Sequence, residues 1–245
     1  MTIRDYNAEA GEFAGRSYNY DFDEIVRRYM MRAFNPFMPT GRALELGCYK
    51  GDSTQWLMQR YEDLTVIEAA SDLVEAARAR FGAKVKFLCN TFEACDLAEE
   101  FDAIFLINTL EHLDDPVVVL RKIRSWLSPA GRLFVLVPNA QAPSRQIAVK
   151  MGLIPYNAAV TVAEACNGHR HTFSFDTLER TVRDAGLSAL YRGGLIFKAL
   201  ANYQFDEALR KGIISESYVE GCYQLGMQYP ELCASIYLVC ERPEP

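Results

Sequence analysis

The chain reads as an α/β protein with a Rossmann-like, doubly wound and mostly parallel seven-stranded sheet, on three observations. Short apolar runs alternate with helical patterns five times between Arg42 and Pro138, the order of a parallel sheet whose crossovers are helices. The run Phe101-Asp102-Ala103-Ile104-Phe105-Leu106-Ile107-Asn108 is apolar almost throughout, as a central strand covered on both faces should be. The first run closes on a glycine-marked turn, Glu45-Leu46-Gly47-Cys48-Tyr49-Lys50-Gly51, which places a nucleotide-type crevice at the carboxyl ends of the strands. At 245 residues, half of them hydrophobic, the chain is long enough for one sizeable core and reads as a single domain, 1–245.

Taken in order, residues 1–40 form an aromatic-rich N-terminal segment, with a helix from Asp21 to about Met31 whose acids come early and bases late, as the macrodipole prefers. Tyr6, Tyr18 and Tyr20 can each pack as aromatics on the sheet edge. Asn35-Pro36 and Pro39-Thr40-Gly41 reset the chain. The core, 41–138, follows: a strand into the glycine turn, a helix from near Gly51, and a second strand Leu64-Thr65-Val66-Ile67-Glu68. A helix capped around Ser71 and stopped at Gly82 leads to a third strand, Val85 to Leu88, and then to the fourth. Asp115-Pro116 starts a helix that ends around Pro129, and Gly131 to Pro138 is the fifth strand.

The turn chemistry narrows the ligand. A dinucleotide fingerprint needs a middle glycine where this chain has Tyr49, and Glu45 beside the turn would repel a pyrophosphate but attract a cationic group. Glu68 lies about twenty residues past the turn, where a carboxylate can accept from ribose hydroxyls in such a unit, the alternative being a cap or surface acid. Phe92 is placed to stack on a base or to fill core. Glu-x-Gly-x-x-x-Gly at 45–51, with Leu-Glu-His-Leu-Asp-Asp-Pro at 110–116, resembles the class I S-adenosylmethionine-dependent methyltransferases, Tyr49 being a departure from their usual glycine.

The resemblance implies S-adenosylmethionine as cofactor, with contacts from Tyr20, Glu45, Gly47, Tyr49, Gly51, Thr54, Glu68, Ala69, Thr91, Phe92, Asn108 and Thr109. It implies that residues 1–40 fold over the ligand as a lid, so that Tyr6, Tyr18 and Tyr20 face ligand as an alternative to packing on the sheet edge; substrate contacts from Tyr6, Tyr18, Asn139, Arg145 and His171; and His112 or His169 as an optional catalytic base. Pro-Asn-Ala at 138–140, Ser-Arg-Gln-Ile-Ala-Val-Lys-Met-Gly at 144–152, Gly-His-Arg-His-Thr at 168–172 and Cys-Tyr-Gln-Leu-Gly-Met-Gln-Tyr-Pro at 222–230 are similar to toxoflavin-type methyltransferases. That likeness implies N-methylation of a small planar heterocyclic substrate, a pyrimidotriazine (azapteridine) ring, in secondary metabolism.

Beyond the core, 139–175 reads as a substrate-side insertion. All three histidines of the chain, His112, His169 and His171, come from segments leaving the crevice end of the sheet, and histidine is the side chain best suited to proton exchange near neutrality. Asp176-Thr177-Leu178-Glu179 caps another helix, Leu187 to Tyr191 is a sixth strand, and 197–231 is a helical cap or dimer surface before the last strand, Ser235 to Cys240.

The net charge of −6 gives no basic footprint for nucleic acid. With no apolar signal region and no membrane-length apolar run, a soluble cytoplasmic monomer or homodimer is expected. Seven cysteines without a Cys-x-x-Cys pair read as core residues, and no metal is expected. An O-methyltransferase leaning on a base or on a metal held by Glu111 and the histidines is the alternative, and a non-catalytic adenosylmethionine-binding protein a third.

Overall fold

The computed structural model describes residues 4–9 and 21–243; Tyr18 and Tyr20 therefore lie outside the described residues. Seven strands form one open sheet in the order β3-β2-β1-β4-β5-β7-β6. They are β1 Arg42–Leu46, β2 Asp63–Glu68, β3 Lys86–Cys89, β4 Phe101–Ile107, β5 Leu127–Pro138, β6 Ser188–Phe197 and β7 Cys233–Glu241. β1 to β5 pair in parallel, while β7 is antiparallel to both β5 and β6. β6 thus runs in the same direction as β5, and its end joins the crevice edge.

The sheet is buried on both faces, and β5 shows how. Phe134 and Leu136 point into one core, and Leu133, Val135 and Val137 into the other, as a period of two requires. The first core is filled by helices α1 (Asp21–Phe34), α2 (Thr54–Leu57), α3 (Ser71–Phe81), α8 (Asn202–Arg210) and α9 (Glu216–Gln228). Phe34 packs 5.0 Å from Phe134, which stacks at 4.8 Å on Phe105. The second core is filled by α4 (Pro116–Trp126) and α7 (Phe175–Asp184). Two short helices, α5 (Pro143–Lys150) and α6 (Val162–Cys166), make up the insertion. In the segment 197–231, Phe205, Val219 and Tyr223 belong to the first core, so α8 and α9 roof the sheet beside α1.

Several boundaries differ from the sequence reading, each for a local reason. α4 stops at Trp126 rather than near Pro129, because Pro129 forces the residue before it into extended backbone. The strand therefore starts at Leu127, which pairs with Phe101. β6 runs on to Phe197 through Gly193-Gly194, a pair that reads as a turn. Those glycines serve close packing instead, since a Cβ on Gly193 would lie 2.4 Å from the Tyr237 ring. α7 is capped by Ser174, whose hydroxyl pairs reciprocally with Thr177, not by Asp176. α3 has Ala70 at its N-cap, without a side-chain cap, and the helix after the glycine turn is one turn long, beginning at Thr54.

All seven cysteines are free and five are buried, but Cys89 and Cys166 are exposed, against the expectation for them. Among the described residues no helix is long and apolar enough to cross a membrane.

Asp115 caps α4 as its sequence implies: its carboxylate accepts from the amides of Val117 and Val118, both at 3.1 Å. Asp115→Ala is expected to cost about 1 kcal/mol of stability and Asp115→Asn much less, read from urea denaturation midpoints. Equal losses in the two variants would show that the cap bonds are not what fixes this helix.

Candidate functional site

The carboxyl ends of the strands open into one cleft of about 660 Å³. Its floor is the turn after β1. Gly47 takes φ 78°, Tyr49 φ 49° and Gly51 φ 80°, so tyrosine occupies a left-handed position where the resemblance has glycine. A non-glycine there is strained, and the loop is held from outside. Glu68 at the end of β2 accepts from the amides of Cys48 (3.1 Å), Tyr49 (3.2 Å) and Ala70 (3.1 Å). Thr109 donates its hydroxyl to the carbonyls of Leu46 and Ile107, both at 3.1 Å, tying the end of β1 to that of β4.

Gly47, Tyr49, Glu68, Ala69, Thr91, Phe92, Asn108 and Thr109 all line the cleft. Glu45, Gly51 and Thr54 do not, and this corrects their reading as direct contacts. Glu45 is 1% exposed and accepts the Thr54 hydroxyl at 2.6 Å beneath the loop. Burial pushes its carboxyl up to about 8, with the charge of Glu68 adding to the effect. A protonated acid attracts no cation, so Glu45 braces the turn instead. Gly51 is needed for packing: a Cβ there would lie 2.4 Å from Phe81.

The opposite wall comes from the 3-10 turn Leu110–His112 and from the insertion. His112 and His169 meet edge to face, ring centres 4.7 Å apart. Burial pushes His112 down to about 3, helped by His169 and Arg4, and burial also lowers His169. Both rings are therefore uncharged at neutrality. Glu111 beside them is 1% exposed, and neither carboxyl oxygen has a hydrogen-bond partner among the described residues; burial pushes it up to about 8. One ligand atom from each of Glu111, His112 and His169 lies within 4.8 Å of the others, a cluster that can hold a divalent ion, though the sequence reading expected none.

Three expected substrate contacts have their polar groups committed elsewhere, although Asn139 and Arg145 do line the cleft. Asn139 is buried and donates to the carbonyls of Glu231 and Cys233, both at 2.8 Å, while accepting from the Gln141 amide. It joins β5 to the turn before β7. Arg145 spends its guanidinium on Asn157, Ala159 and Glu164, stapling the insertion together. His171 donates from Nε2 to the Leu113 carbonyl at 2.9 Å and is absent from the cleft wall.

Tyr6 also lines the cleft, beneath Arg4 at 4.7 Å. Residues 4–9 span the opening: Asn7 donates to the Ser71 hydroxyl at 2.8 Å on one rim, and Arg4 to the His112 carbonyl at 3.2 Å on the other. A bidentate Arg4–Glu9 pair, 2.7 Å at each contact, stiffens the strap. Sequence reasoning missed Arg4, Arg27 and Lys198, each a lone cation without a motif; Arg27 reaches Asp52 at 3.1 Å across the loop.

The buried acids give a signed pH dependence. Glu45 and Glu111 hold their protons to about 8 against an ordinary 4.5, so the stability tied to them is complete below 4.5 and is lost as pH rises through 8. His112 stays neutral down to about 3 against an ordinary 6.5, so its contribution is lost as pH falls below 6.5. Above 6.5 only the carboxyl slope of these remains. The unfolding midpoint of the ligand-free protein should fall between pH 6.5 and 8, and Glu45→Gln should flatten that fall; a variant with the same slope would refute a protonated Glu45.

A family model described as a methyltransferase domain matches residues 18–191. The chain is similar to the ubiquinone biosynthesis O-methyltransferase of Xanthomonas axonopodis pv. citri (strain 306), 32% identical over 117 residues, covering 45% of this chain and 49% of that protein. It spans about half the length of the first curated relatives it matches. Among solved structures it is similar to a possible histamine N-methyltransferase of Thermotoga maritima (19% identity, TM-score 0.65, 96% of this chain and 100% of that one). It is similar too to the N-methyltransferase NodS of Bradyrhizobium japonicum WM9, solved with S-adenosyl-L-homocysteine (14% identity, TM-score 0.61, 98% and 100%). At such identities the structures support the fold.

Proposed function

The chain belongs to the methyltransferase-domain family, and from that premise we propose an enzyme that moves a methyl group from S-adenosylmethionine to a ring nitrogen of a small planar azaheterocycle of the pyrimidotriazine (azapteridine) type. One observation carries the reading. A single cleft joins the glycine turn under Glu68 to a wall of uncharged hydrogen-bonding groups, the buried Glu111 and the half-buried His112 and His169.

The cofactor fits the first end. A carboxylate has about four acceptor positions, and Glu68 gives three to backbone amides, keeping capacity for a ribose hydroxyl. Phe92 and Leu73 offer apolar faces for the adenine, and Asn108 stands beside them in the cleft. When bound, the cofactor supplies an electrophilic methyl on a sulfonium, which is already a good leaving group. The chain's own work is then to align the acceptor and keep water out. The strap of residues 4–9 does the excluding. His112 and His169, neutral at the pH of turnover, can orient the ring and accept a proton from its nitrogen if it carries one.

A second reading, O-methylation, has an observation of its own: the clustered ligand atoms of Glu111, His112 and His169, beside relatives whose printed names are O-methyltransferases. A hydroxyl of high pKa needs a base or a metal.

Titration with S-adenosyl-L-homocysteine should give binding that Glu68→Ala weakens at least tenfold, about 1.4 kcal/mol; unchanged affinity in a folded variant would remove Glu68 from the cofactor site. On a pyrimidotriazine acceptor, turnover should survive a chelator and fall in the His112→Ala/His169→Ala double variant. Turnover unchanged in that variant from pH 6 to 9 withdraws the histidine role. Loss to the chelator, restored by a divalent metal, favours the second reading.

A further inference from the structure

Lys198 leaves the sheet just after β6, at the edge where the strands open into the cleft, and its side chain lines that cleft while only 5% exposed. Its ammonium donates to the Leu200 carbonyl at 2.6 Å and lies 5.7 Å from the Phe22 ring. Among the described residues it has no second hydrogen-bond acceptor. Burying an ammonium in such a wall is unfavourable unless a partner compensates, and one carbonyl leaves two of its three donors unused. The groups facing it are Asp23 from α1, which itself accepts from Asn202, and the Cys222 thiol from α9. Burial lowers the ammonium to about 8, against the opposing pull of Asp23 and Cys222, so it is charged at neutrality. The N-terminus of α8, four residues on, adds positive potential to the same corner. Asp23 supplies a negative charge nearby, while the Leu200 carbonyl remains the ammonium's one hydrogen-bond acceptor among the described residues.

We propose that Lys198 is the acceptor-binding cation of the site, pairing with the delocalised negative charge of an oxo-substituted azaheterocycle that binds as its conjugate base. This rests on the methyltransferase reading above. The acceptor's ring N–H proton passes to water on binding. The nitrogen lone pair then forms the N–C bond as the C–S bond breaks, so ring anion and sulfonium become a neutral N-methyl product and a thioether. Lys198 stays protonated throughout. A neutral product loses the attraction that held the substrate, which favours its release, and the two histidines need only orient the ring.

The experiment uses the full chain loaded with S-adenosyl-L-homocysteine and two probes: lumazine, a pteridine-dione with ionisable ring N–H groups, and 1,3-dimethyllumazine, which has none. At pH 6.5 bound lumazine should show the spectrum recorded for its anion in alkaline buffer, and should bind at least tenfold tighter than the dimethyl compound. Lys198→Met should abolish both effects while leaving S-adenosyl-L-homocysteine affinity within twofold; Lys198→Arg should retain the anion spectrum. Lumazine bound as the neutral ring, lumazine failing to bind the loaded protein, or an undiminished preference in Lys198→Met would each overturn the proposal. Failure of the wild type to bind S-adenosyl-L-homocysteine is a different result, and sinks the methyltransferase reading on which it rests.

Discussion

The cleft depends on the turn after β1 being fixed from beneath and from the side. Three positive φ angles in five residues, one of them at a tyrosine, are not a conformation this stretch would keep alone. Four side chains outside the turn impose it. Glu45 and Thr54 bond to each other below it, Glu68 gathers its amides, and Thr109 locks the ends of β1 and β4. The acid at the end of β1 matters for its shape and its hydrogen bond, since burial removes its charge. Rigidity is the property a site of this kind needs, because placing reactants in line accounts for much of the rate when the leaving group is already good.

Burial also sets the character of the acceptor end. In water Glu111, His112 and Lys198 would titrate near 4.5, 6.5 and 10.5; in the cleft the first and third move toward 8 and the second toward 3. Each shift favours the uncharged form, as desolvation dictates. The consequences differ. The acid and the imidazole become neutral at working pH, whereas the lysine, starting so much higher, stays charged. The wall therefore offers neutral donors and acceptors beside a buried lysine that keeps its charge, while the Arg4, Arg27 and Arg145 guanidiniums on the same lining are each paired with a carboxylate.

The parallel half of the fold was legible in the sequence because its signals are local: apolar runs between helix caps, a glycine turn, a carboxylate at the next strand end. β1 to β4, α3 and the Asp115 cap sit within a residue or two of where those signals put them. The antiparallel edge was less so. β6 hides behind Gly193-Gly194, whose purpose is visible only once Tyr237 is seen across the pair. The site divides the same way. Motif residues reached the cleft, but a motif records spacing and cannot say which way a side chain turns. Glu45 and Thr54 turned inward, and Asn139, Arg145 and His171 were taken by carbonyls and a carboxylate of their own surroundings. Arg4 and Lys198 come from distant segments, with no pattern to mark them.

That division has a chemical logic. The cofactor half of the cleft is built from consecutive strand ends, so its geometry follows from the sheet. The acceptor half is assembled from what the sheet does not fix: the N-terminal strap, the insertion held by Arg145, and the end of β6 roofed by α8. Arg4 links these parts, since it bonds the His112 carbonyl and grips Glu9, while Arg170 of the insertion approaches the same Glu9 at 3.8 Å. A strap attached by a few exposed or half-buried polar contacts opens at little free-energy cost. Under the proposed function, entry of an acceptor requires opening, and exclusion of water requires closure. The weak polar fastening of residues 4–9, set over a rigid glycine turn, reconciles the two demands without any movement of the sheet.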